Sequence, residues 1–208
     1  MKLLHLPRIY PIIDDTYLSY DRMEGTARAL IDGGARILQL RGKGLSSAEL
    51  LMAACTIEGL TRKAGVTFIV NDRIDIALLS NADGVHIGRD DMPVLAARKL
   101  LGREKIIGFS THNVEEALAA IRLPVDYISF GPIFTTGTKK DAEAPKGVAA
   151  LTAVARSVEL PIVAIGGIGE ERLGEVMNSG AKSVAMISDI LLARDIKRKM
   201  KHLMEISA

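Results

Sequence analysis

This sequence has few cysteine and aromatic residues, and its acidic and basic residues nearly balance. The single cysteine, Cys55, excludes a disulfide framework and a zinc cluster of several thiolates, and it favours a reducing compartment. Aromatic residues make up only 4% of the chain, so alanine and the branched aliphatic residues supply most of the 48% apolar fraction. That balance is typical of helices packed on buried strands and excludes a disordered chain. Cys55 lies in the apolar segment 50–60, which predicts that it packs in the core.

Long apolar runs are also lacking. No stretch reaches the ~18 residues of a membrane span, and the apolar run within residues 1–14 is too short for a signal peptide. The 27 basic and 25 acidic residues are interleaved and leave a net charge of +2, which excludes a basic face for nucleic acid. We therefore expect a cytoplasmic protein that binds no membrane, with small molecules and copies of itself as partners.

Short β-branched apolar runs alternate along the chain with segments of helical periodicity, which is the pattern of βα units around a parallel sheet. The predicted strands are 8–13, 36–41, 68–71, 84–87, 106–110, 127–131, 161–166 and 183–188. The predicted helices are 23–33, 46–63, 74–81, 93–101, 113–122, 147–158, 170–179 and 190–204. These units predict an α/β fold, a (β/α)8 TIM barrel forming a single domain over residues 1–208. An open doubly wound sheet is disfavoured because no G-x-G-x-x-G turn follows a strand.

Polar residues cluster where the predicted strands end, which is where such a barrel has its active site. Arg41, Lys43 and Lys139 are cations from different strands that suit a multiply charged anion. Asp72 and Asp91 are carboxylates of the same rim, and together with these cations they predict a diphosphate bound with Mg²⁺. The alternative is that Asp72 caps the helix that follows it or pairs with a neighbouring side chain.

A second anion site is predicted at the last two strands. Gly166 and Gly167 follow strand 7, and Ser188 begins a helix after strand 8, an arrangement that favours a monophosphate. The polar segment 135–147 lies between strand 6 and its helix. It is either a mobile lid over the site or a solvated connection.

Seven segments in order along the chain resemble the thiamine phosphate synthase family. They are QLRGK (39–43), VNDR (70–73), ADGVHIGRDD (82–91), GFSTHN (108–113), FGPIFTTGTKKDA (130–142), AIGGI (164–168) and VAMIS (184–188). The resemblance implies a magnesium-dependent transferase of thiamine biosynthesis. Such an enzyme joins 4-amino-2-methyl-5-hydroxymethylpyrimidine diphosphate to hydroxyethylthiazole phosphate, or to its carboxylated form, and releases pyrophosphate.

The resemblance also implies roles for individual residues. Asp72 and Asp91 would bind Mg²⁺, and the catalytic residues would be Arg41, Lys43, Lys139 and Ser110. The pyrimidine diphosphate would contact Gln39, Leu40, Arg41, Gly42, Lys43, Asn71, Ser110 and Lys139. The thiazole phosphate would contact Thr136, Gly137, Thr138, Gly167, Ile187 and Ser188.

Four positions depart from the family pattern: Gly42, Arg89, Thr135 and Asp189. Asp189 bears most on function, because its carboxylate either weakens monophosphate binding or caps the helix from outside the pocket. His112 has no evident carboxylate partner in the sequence. A histidine at this position nevertheless leaves a second hypothesis, that the protein is the related thiazole tautomerase. A third reading, a non-catalytic barrel that binds thiazole or thiamine phosphate, would not need the two magnesium carboxylates. His86 is expected to pack within strand 4.

Overall fold

The computed structural model describes residues 6–138 and 143–207. Within them are eight strands: β1 (Ile9–Asp14), β2 (Ile37–Arg41), β3 (Thr67–Asn71), β4 (Gly84–Ile87), β5 (Ile106–Thr111), β6 (Tyr127–Phe130), β7 (Ile162–Ile165) and β8 (Ser183–Met186). The same residues include nine α-helices: α1 (Met23–Asp32), α2 (Ser47–Ala64), α3 (Ile74–Leu79), α4 (Val94–Leu101), α5 (Val114–Ala120), α6 (Gly147–Ser157), α7 (Leu173–Asn178), α8 (Ser188–Leu191) and α9 (Ile196–Ile206). Short 3₁₀ turns precede α1 and α7.

The strands form a closed parallel barrel in sequence order, so the predicted (β/α)8 architecture is confirmed. Strand β1 pairs with β2 on one side and with β8 on the other, where Ile9 lies opposite Val184 and closes the sheet. Because every strand runs the same way, all the carboxyl ends meet at one mouth of the barrel. The polar residues that end the strands are thereby brought to one face.

Helix α2 shows how local sequence sets these elements. The Ser46 hydroxyl accepts a hydrogen bond from the Glu49 backbone N–H, and the Glu49 carboxylate accepts one from the Ser46 N–H. This reciprocal pair stabilises the first turn, where backbone donors lack helical partners. Gly65 ends the helix with a left-handed φ of 65°, a conformation that costs glycine little.

Two apolar clusters divide the core between the inside and the outside of the barrel. Residues on β2 alternate between them: Leu38 and Leu40 pack against the surrounding helices, whereas Ile37 packs in the barrel interior. Gln39 shares the interior face because side chains alternate along a strand. The interior therefore has an apolar layer and a buried polar layer in contact with each other.

Two predictions were wrong in this part of the molecule. The expected helix 190–204 is two helices, because α8 ends at Leu191 and α9 starts after Asp195, whose carboxylate accepts a hydrogen bond from the Arg198 N–H at 2.9 Å. Asp195 is thus an N-cap within an otherwise helical pattern. Cys55 is exposed on α2, because it falls on the helix face opposite Ala54 and Ile57. No helix among the described residues is long and apolar enough to cross a membrane.

Candidate active site

Arg41 is held at the barrel mouth by a carboxylate that the sequence reasoning missed. Asp14 ends β1 directly opposite Arg41, and its Oδ2 lies 2.8 Å from Arg41 Nη1. The other oxygen of Asp14 accepts a hydrogen bond from the Thr16 N–H at 2.8 Å, and its side chain has no exposed surface. Asp14 therefore orients the guanidinium while leaving other donors of its planar fork for an anion. The rule that identified the other site residues, polarity at a strand end, would have found Asp14 too.

Asp72, Asp91 and Lys43 lie together beside this pair. Asp72 follows β3 with a positive φ of 59°, and its carboxylate forms an ion pair with Lys43. Burial raises the pKa of Asp72; the Lys43 ammonium lowers it, and the neighbouring Asp91 carboxylate raises it further. Asp91 Oδ2 in turn accepts a hydrogen bond from the Gly88 N–H at 2.7 Å. Two carboxylates that repel each other thus lie next to the exposed ammonium of Lys43.

These two carboxylates fit a hard divalent cation. Among residues 6–138 and 143–207, no group of three or more histidine, cysteine or acidic side chains is arranged to enclose a metal ion by itself. Mg²⁺ commonly takes only one or two protein carboxylates and completes its shell with phosphate oxygens and water. A cation here would also relieve the repulsion between Asp72 and Asp91 that raises the Asp72 pKa.

The capping alternative for Asp72 receives no support from the start of α3. Arg73 occupies the N-cap position and its side chain makes no capping hydrogen bond. Its guanidinium instead pairs with Asp75, at 2.6 Å from Nη2 to Oδ2. The Asp72 side chain is therefore left to Lys43 and Asp91 at the mouth.

Gln39 and Ser110 occupy the polar layer just below the mouth. Gln39 is almost completely buried, and its Nε2 donates to the Tyr10 hydroxyl at 3.0 Å. The Ser110 Oγ lies 3.0 Å from His86 Nε2. His86 is buried in β4, as expected, but it is hydrogen-bonded through both ring nitrogens. Asn71 is half-buried at the end of β3, paired in register with His86.

Four of the predicted contacts to the thiazole phosphate lie on the loops after β6 and β7. The Thr136 hydroxyl accepts a hydrogen bond from the Thr138 N–H at 3.3 Å, and Tyr17 anchors Thr138 through a 2.9 Å contact between hydroxyls. Gly167 has a φ of 63°, and a Cβ there would overlap the Thr135 carbonyl oxygen. Only glycine lets these two loops pack this closely. Gly137 lies between the threonines, with open space around it.

The other two predicted contacts to the thiazole phosphate, Ile187 and Ser188, lie at the start of α8. Ile187 is partly buried between the two apolar clusters, and Ser188 is the first residue of the helix. The Asp189 carboxylate points to α9, where its Oδ2 lies 2.8 Å from Lys199 Nζ. The Asp189 carboxylate is thus paired away from the Ser188 turn, and the start of α8 has no side-chain cap, so Asp189 does not cap this helix.

The remaining predicted contacts differ in how their side chains are placed. Leu40 packs against the helices, so only its backbone can reach a ligand at the mouth. A Cβ on Gly42 would meet the ends of the Leu45 and Leu50 side chains, which would have to shift to admit it. Lys139 lies outside the described residues, as does the middle of the segment 135–147.

His112 does have a carboxylate partner, contrary to expectation. Glu116, one helical turn later, accepts a hydrogen bond from the His112 N–H at 2.9 Å and lies 3.1 Å from its Nδ1. The same carboxylate also meets Asn113, the N-cap of α5. The i to i+4 spacing that brings them together was present in the sequence and was overlooked.

Comparisons with known proteins show which family this chain is similar to. The family model described as thiamine monophosphate synthase matches residues 9–190. The thiamine-phosphate synthase of Chloroflexus aurantiacus is 44% identical over 206 residues, covering 98% of this chain and 94% of that protein. That of Lawsonia intracellularis is 45% identical over 196 residues, covering 94% and 90%. The solved thiamine phosphate pyrophosphorylase of Pyrococcus furiosus has a TM-score of 0.85 and 33% identity, with 96% of each chain covered.

Proposed function

This chain belongs to the thiamine monophosphate synthase family and is a transferase. We propose that it transfers a pyrimidinylmethyl group, the pyrimidine with its methylene carbon, from diphosphate to a thiazole nitrogen. The substrates would be 4-amino-2-methyl-5-hydroxymethylpyrimidine diphosphate and hydroxyethylthiazole phosphate, plain or carboxylated. The products would be thiamine phosphate and pyrophosphate, with CO2 released in addition when the thiazole is carboxylated. The observation that carries the proposal is that two cations, Arg41 and Lys43, lie at one mouth with two carboxylates, Asp72 and Asp91. This combination suits a diphosphate–metal complex better than a lone monophosphate.

The reaction needs charge neutralisation and alignment more than a protein nucleophile. The C–O bond to the diphosphate breaks, the pyrimidine stabilises the resulting methylene cation, and the thiazole nitrogen supplies the electron pair of the new C–N bond. Arg41 and Lys43 offset the charge that develops on the leaving pyrophosphate, and Lys139 would add a third cation. Mg²⁺ held by Asp72 and Asp91 would neutralise the same oxygens as a Lewis acid.

The residues at the barrel mouth fall into two groups, one for each proposed substrate. Gln39, Asn71 and Ser110 would hold the pyrimidine diphosphate together with Arg41 and Lys43. The thiazole phosphate would contact the loops after β6 and β7 and the start of α8. Holding both rings in line removes much of the entropic cost of a bimolecular step.

The test is direct synthesis. Purified protein incubated with both substrates and Mg²⁺ is expected to form thiamine phosphate and pyrophosphate in equal amounts, and chelation of Mg²⁺ should stop the reaction. Product in the absence of added metal and in the presence of chelator would contradict the metal assignment. Absence of product under all conditions would contradict the function itself.

His112 paired with Glu116 is the observation that bears on the tautomerase alternative, because an oriented histidine can move a proton. A tautomerase would not need Arg41, Asp72 and Asp91 together. Incubation with the thiazole phosphate alone distinguishes the two activities. We expect no proton exchange or isomerisation without the pyrimidine substrate.

Ser188→Asp should weaken binding of the thiazole phosphate about 10-fold or more, because it places a carboxylate at the turn where the monophosphate would lie. Binding of the pyrimidine diphosphate should change much less. Titration of each substrate by calorimetry measures both effects. Ser157→Asp is the matched control, since Ser157 ends α6 at the opposite end of the barrel. Equal losses for the two substrates in Ser188→Asp would show that the two phosphates do not bind at separate positions.

A further inference from the structure

A chain of hydrogen bonds crosses the barrel interior and joins Gln39 to Ser110. The Gln39 amide donates to the Tyr10 hydroxyl at 3.0 Å, and this hydroxyl lies 3.0 Å from that of Tyr127. The Tyr127 hydroxyl lies 3.0 Å from His86 Nδ1, and His86 Nε2 lies 3.0 Å from the Ser110 Oγ. Five side chains from β2, β1, β6, β4 and β5 are therefore connected in one sequence of contacts.

A glycine makes the central contact possible. Gly108 of β5 lies in register with His86 of β4 on one side and with Tyr127 of β6 on the other. A Cβ at Gly108 would overlap both the Tyr127 ring and His86 Nδ1. Without a side chain between them, His86 and Tyr127 meet across an intervening strand, with ring centroids 5.4 Å apart.

The tyrosines remain protonated donors throughout the ordinary pH range. Both are completely enclosed, and burial raises the pKa of each hydroxyl well above its usual value. Each hydroxyl thus has one proton to donate and must find one acceptor, because a buried unpaired donor loses its hydration without compensation.

The Gln39 amide sets the direction of these protons. Because Gln39 donates to Tyr10, the Tyr10 proton would be directed to Tyr127 and the Tyr127 proton to His86 Nδ1. The imidazole would then carry its own proton on Nε2 and donate it to Ser110. With the opposite direction, the proton of Tyr10 would have no acceptor among the contacts of the described residues.

Ser110 receives a second donor from the neighbouring strand. The Ser129 hydroxyl donates to the Ser110 Oγ at 3.4 Å and also lies 3.3 Å from His86 Nε2. Ser110 and Ser129 are register partners on β5 and β6. With two donors directed at its oxygen, Ser110 can offer only its own proton to a ligand at the mouth.

We propose that this buried chain fixes the polarity of two contacts to the pyrimidine substrate, with Ser110 as a hydrogen-bond donor and the Gln39 carbonyl oxygen as an acceptor. His86 and Tyr127 are then positioning residues, because they act through Ser110. The substrate has matching groups: an exocyclic amine that donates, and ring nitrogens and diphosphate oxygens that accept. The inference rests on the proposed function for the identity of this substrate.

Histidine nitrogen-15 NMR tests the polarity without substrate or turnover. The two ring nitrogens of His86 should report a neutral ring protonated at Nε2, with the signal assigned by its loss in His86→Gln. Tyr127→Phe removes the donor to Nδ1 and should shift His86 towards a mixture of tautomers. Tyr10→Phe removes the link to Gln39 but leaves His86 Nδ1 as the one acceptor for the Tyr127 proton among the contacts of the described residues, so it should preserve the tautomer. A ring protonated at Nδ1 in the unaltered protein, or a tautomer unaffected by Tyr127→Phe, would overturn the proposal.

Kinetics then test whether the polarity matters for the substrate. Tyr127→Phe should lower kcat/KM for the pyrimidine diphosphate by about 10-fold, by analogy with the loss of other groups that orient a functional side chain. The KM for the thiazole phosphate should stay within about twofold. An equal fall for both substrates would indicate general disruption and contradict the proposal, as would unchanged kinetics.

The controls separate the possible failures. Tyr20→Phe removes a hydroxyl from a partly exposed tyrosine and should change neither the NMR signals nor the kinetics. If Tyr127→Phe does not fold, the tautomer in the unaltered protein and in Tyr10→Phe still decides the polarity. If the unaltered protein forms no thiamine phosphate, the proposed function fails, whereas the tautomer result stands by itself.

Discussion

Asp72→Ala and Asp91→Ala are each expected to lower turnover by about 100-fold or more, which is the scale of losing one electrostatic contact to a developing charge. Each replacement removes one of the two carboxylates that fit a divalent cation, so the pyrophosphate would leave with its charge poorly neutralised. Raising the Mg²⁺ concentration should recover part of the activity, because the remaining carboxylate and the substrate oxygens still bind the metal weakly.

Asp90→Ala is the matched control for these variants. Asp90 is adjacent to Asp91 in the chain, but its side chain is 95% exposed and it pairs only loosely with Arg89, at 3.8 Å. Turnover should therefore remain within about twofold of the parent, as expected for a surface ion pair. Parent-like turnover of Asp72→Ala or Asp91→Ala at limiting Mg²⁺ would show that the metal assignment is wrong.

Thermal unfolding separates a functional role for Asp72 from a structural one. Its pKa is raised in the folded state, chiefly by burial, so ionisation of this carboxyl opposes folding. At low pH the Asp72 carboxyl is protonated in both the folded and the unfolded state, so it adds no free-energy cost to folding. The cost appears as the pH rises through the raised pKa. Without metal, Asp72→Asn should therefore leave Tm unchanged or higher at neutral pH, although activity is lost.

Arg41→Ala is expected to destabilise the fold as well as abolish most activity. It leaves the Asp14 carboxylate with no exposed surface and without its cationic partner, a change that typically costs about 3–5 kcal/mol. Lys43→Ala is the comparison, because the Lys43 side chain is 58% exposed and its partner Asp72 can be hydrated. Lys43→Ala should therefore lose activity with little change in the free energy of unfolding, measured by urea denaturation.

The double variant Asp14→Ala/Arg41→Ala tests whether the unpaired Asp14 carboxylate causes the loss of stability in Arg41→Ala. Removing both charges should recover much of the stability lost in Arg41→Ala, since no unpaired carboxylate remains, while activity stays low. Additive losses of stability in the double variant would contradict the argument that the buried charge of Asp14 is responsible. High activity in any variant lacking Arg41 would remove it from the proposed catalytic residues.

Much of the fold was predictable from the sequence because its determinants are local. The apolar strands, the capping pair Ser46 and Glu49, and Gly65 and Gly102 at helix ends all act within a few residues of themselves. The break between α8 and α9 was missed although Asp195 marks it, because helical periodicity continues across it. Because the strands are parallel, their polar carboxyl ends meet at one mouth of the barrel. The sequence alone could therefore place Arg41 and Asp72 together there.

The tertiary structure alone decided how those residues are held. Asp14 and Arg41 meet because β1 and β2 pair in one register, and a shift of one residue would turn either side chain to the other face. Tyr10 and Tyr127 are 117 positions apart and touch inside a closed barrel. Periodicity indicates which face a residue occupies, but strand register and the gap at Gly108 determine what that residue contacts. The direction of the hydrogen bonds that end at Ser110 is therefore a property of the closed barrel.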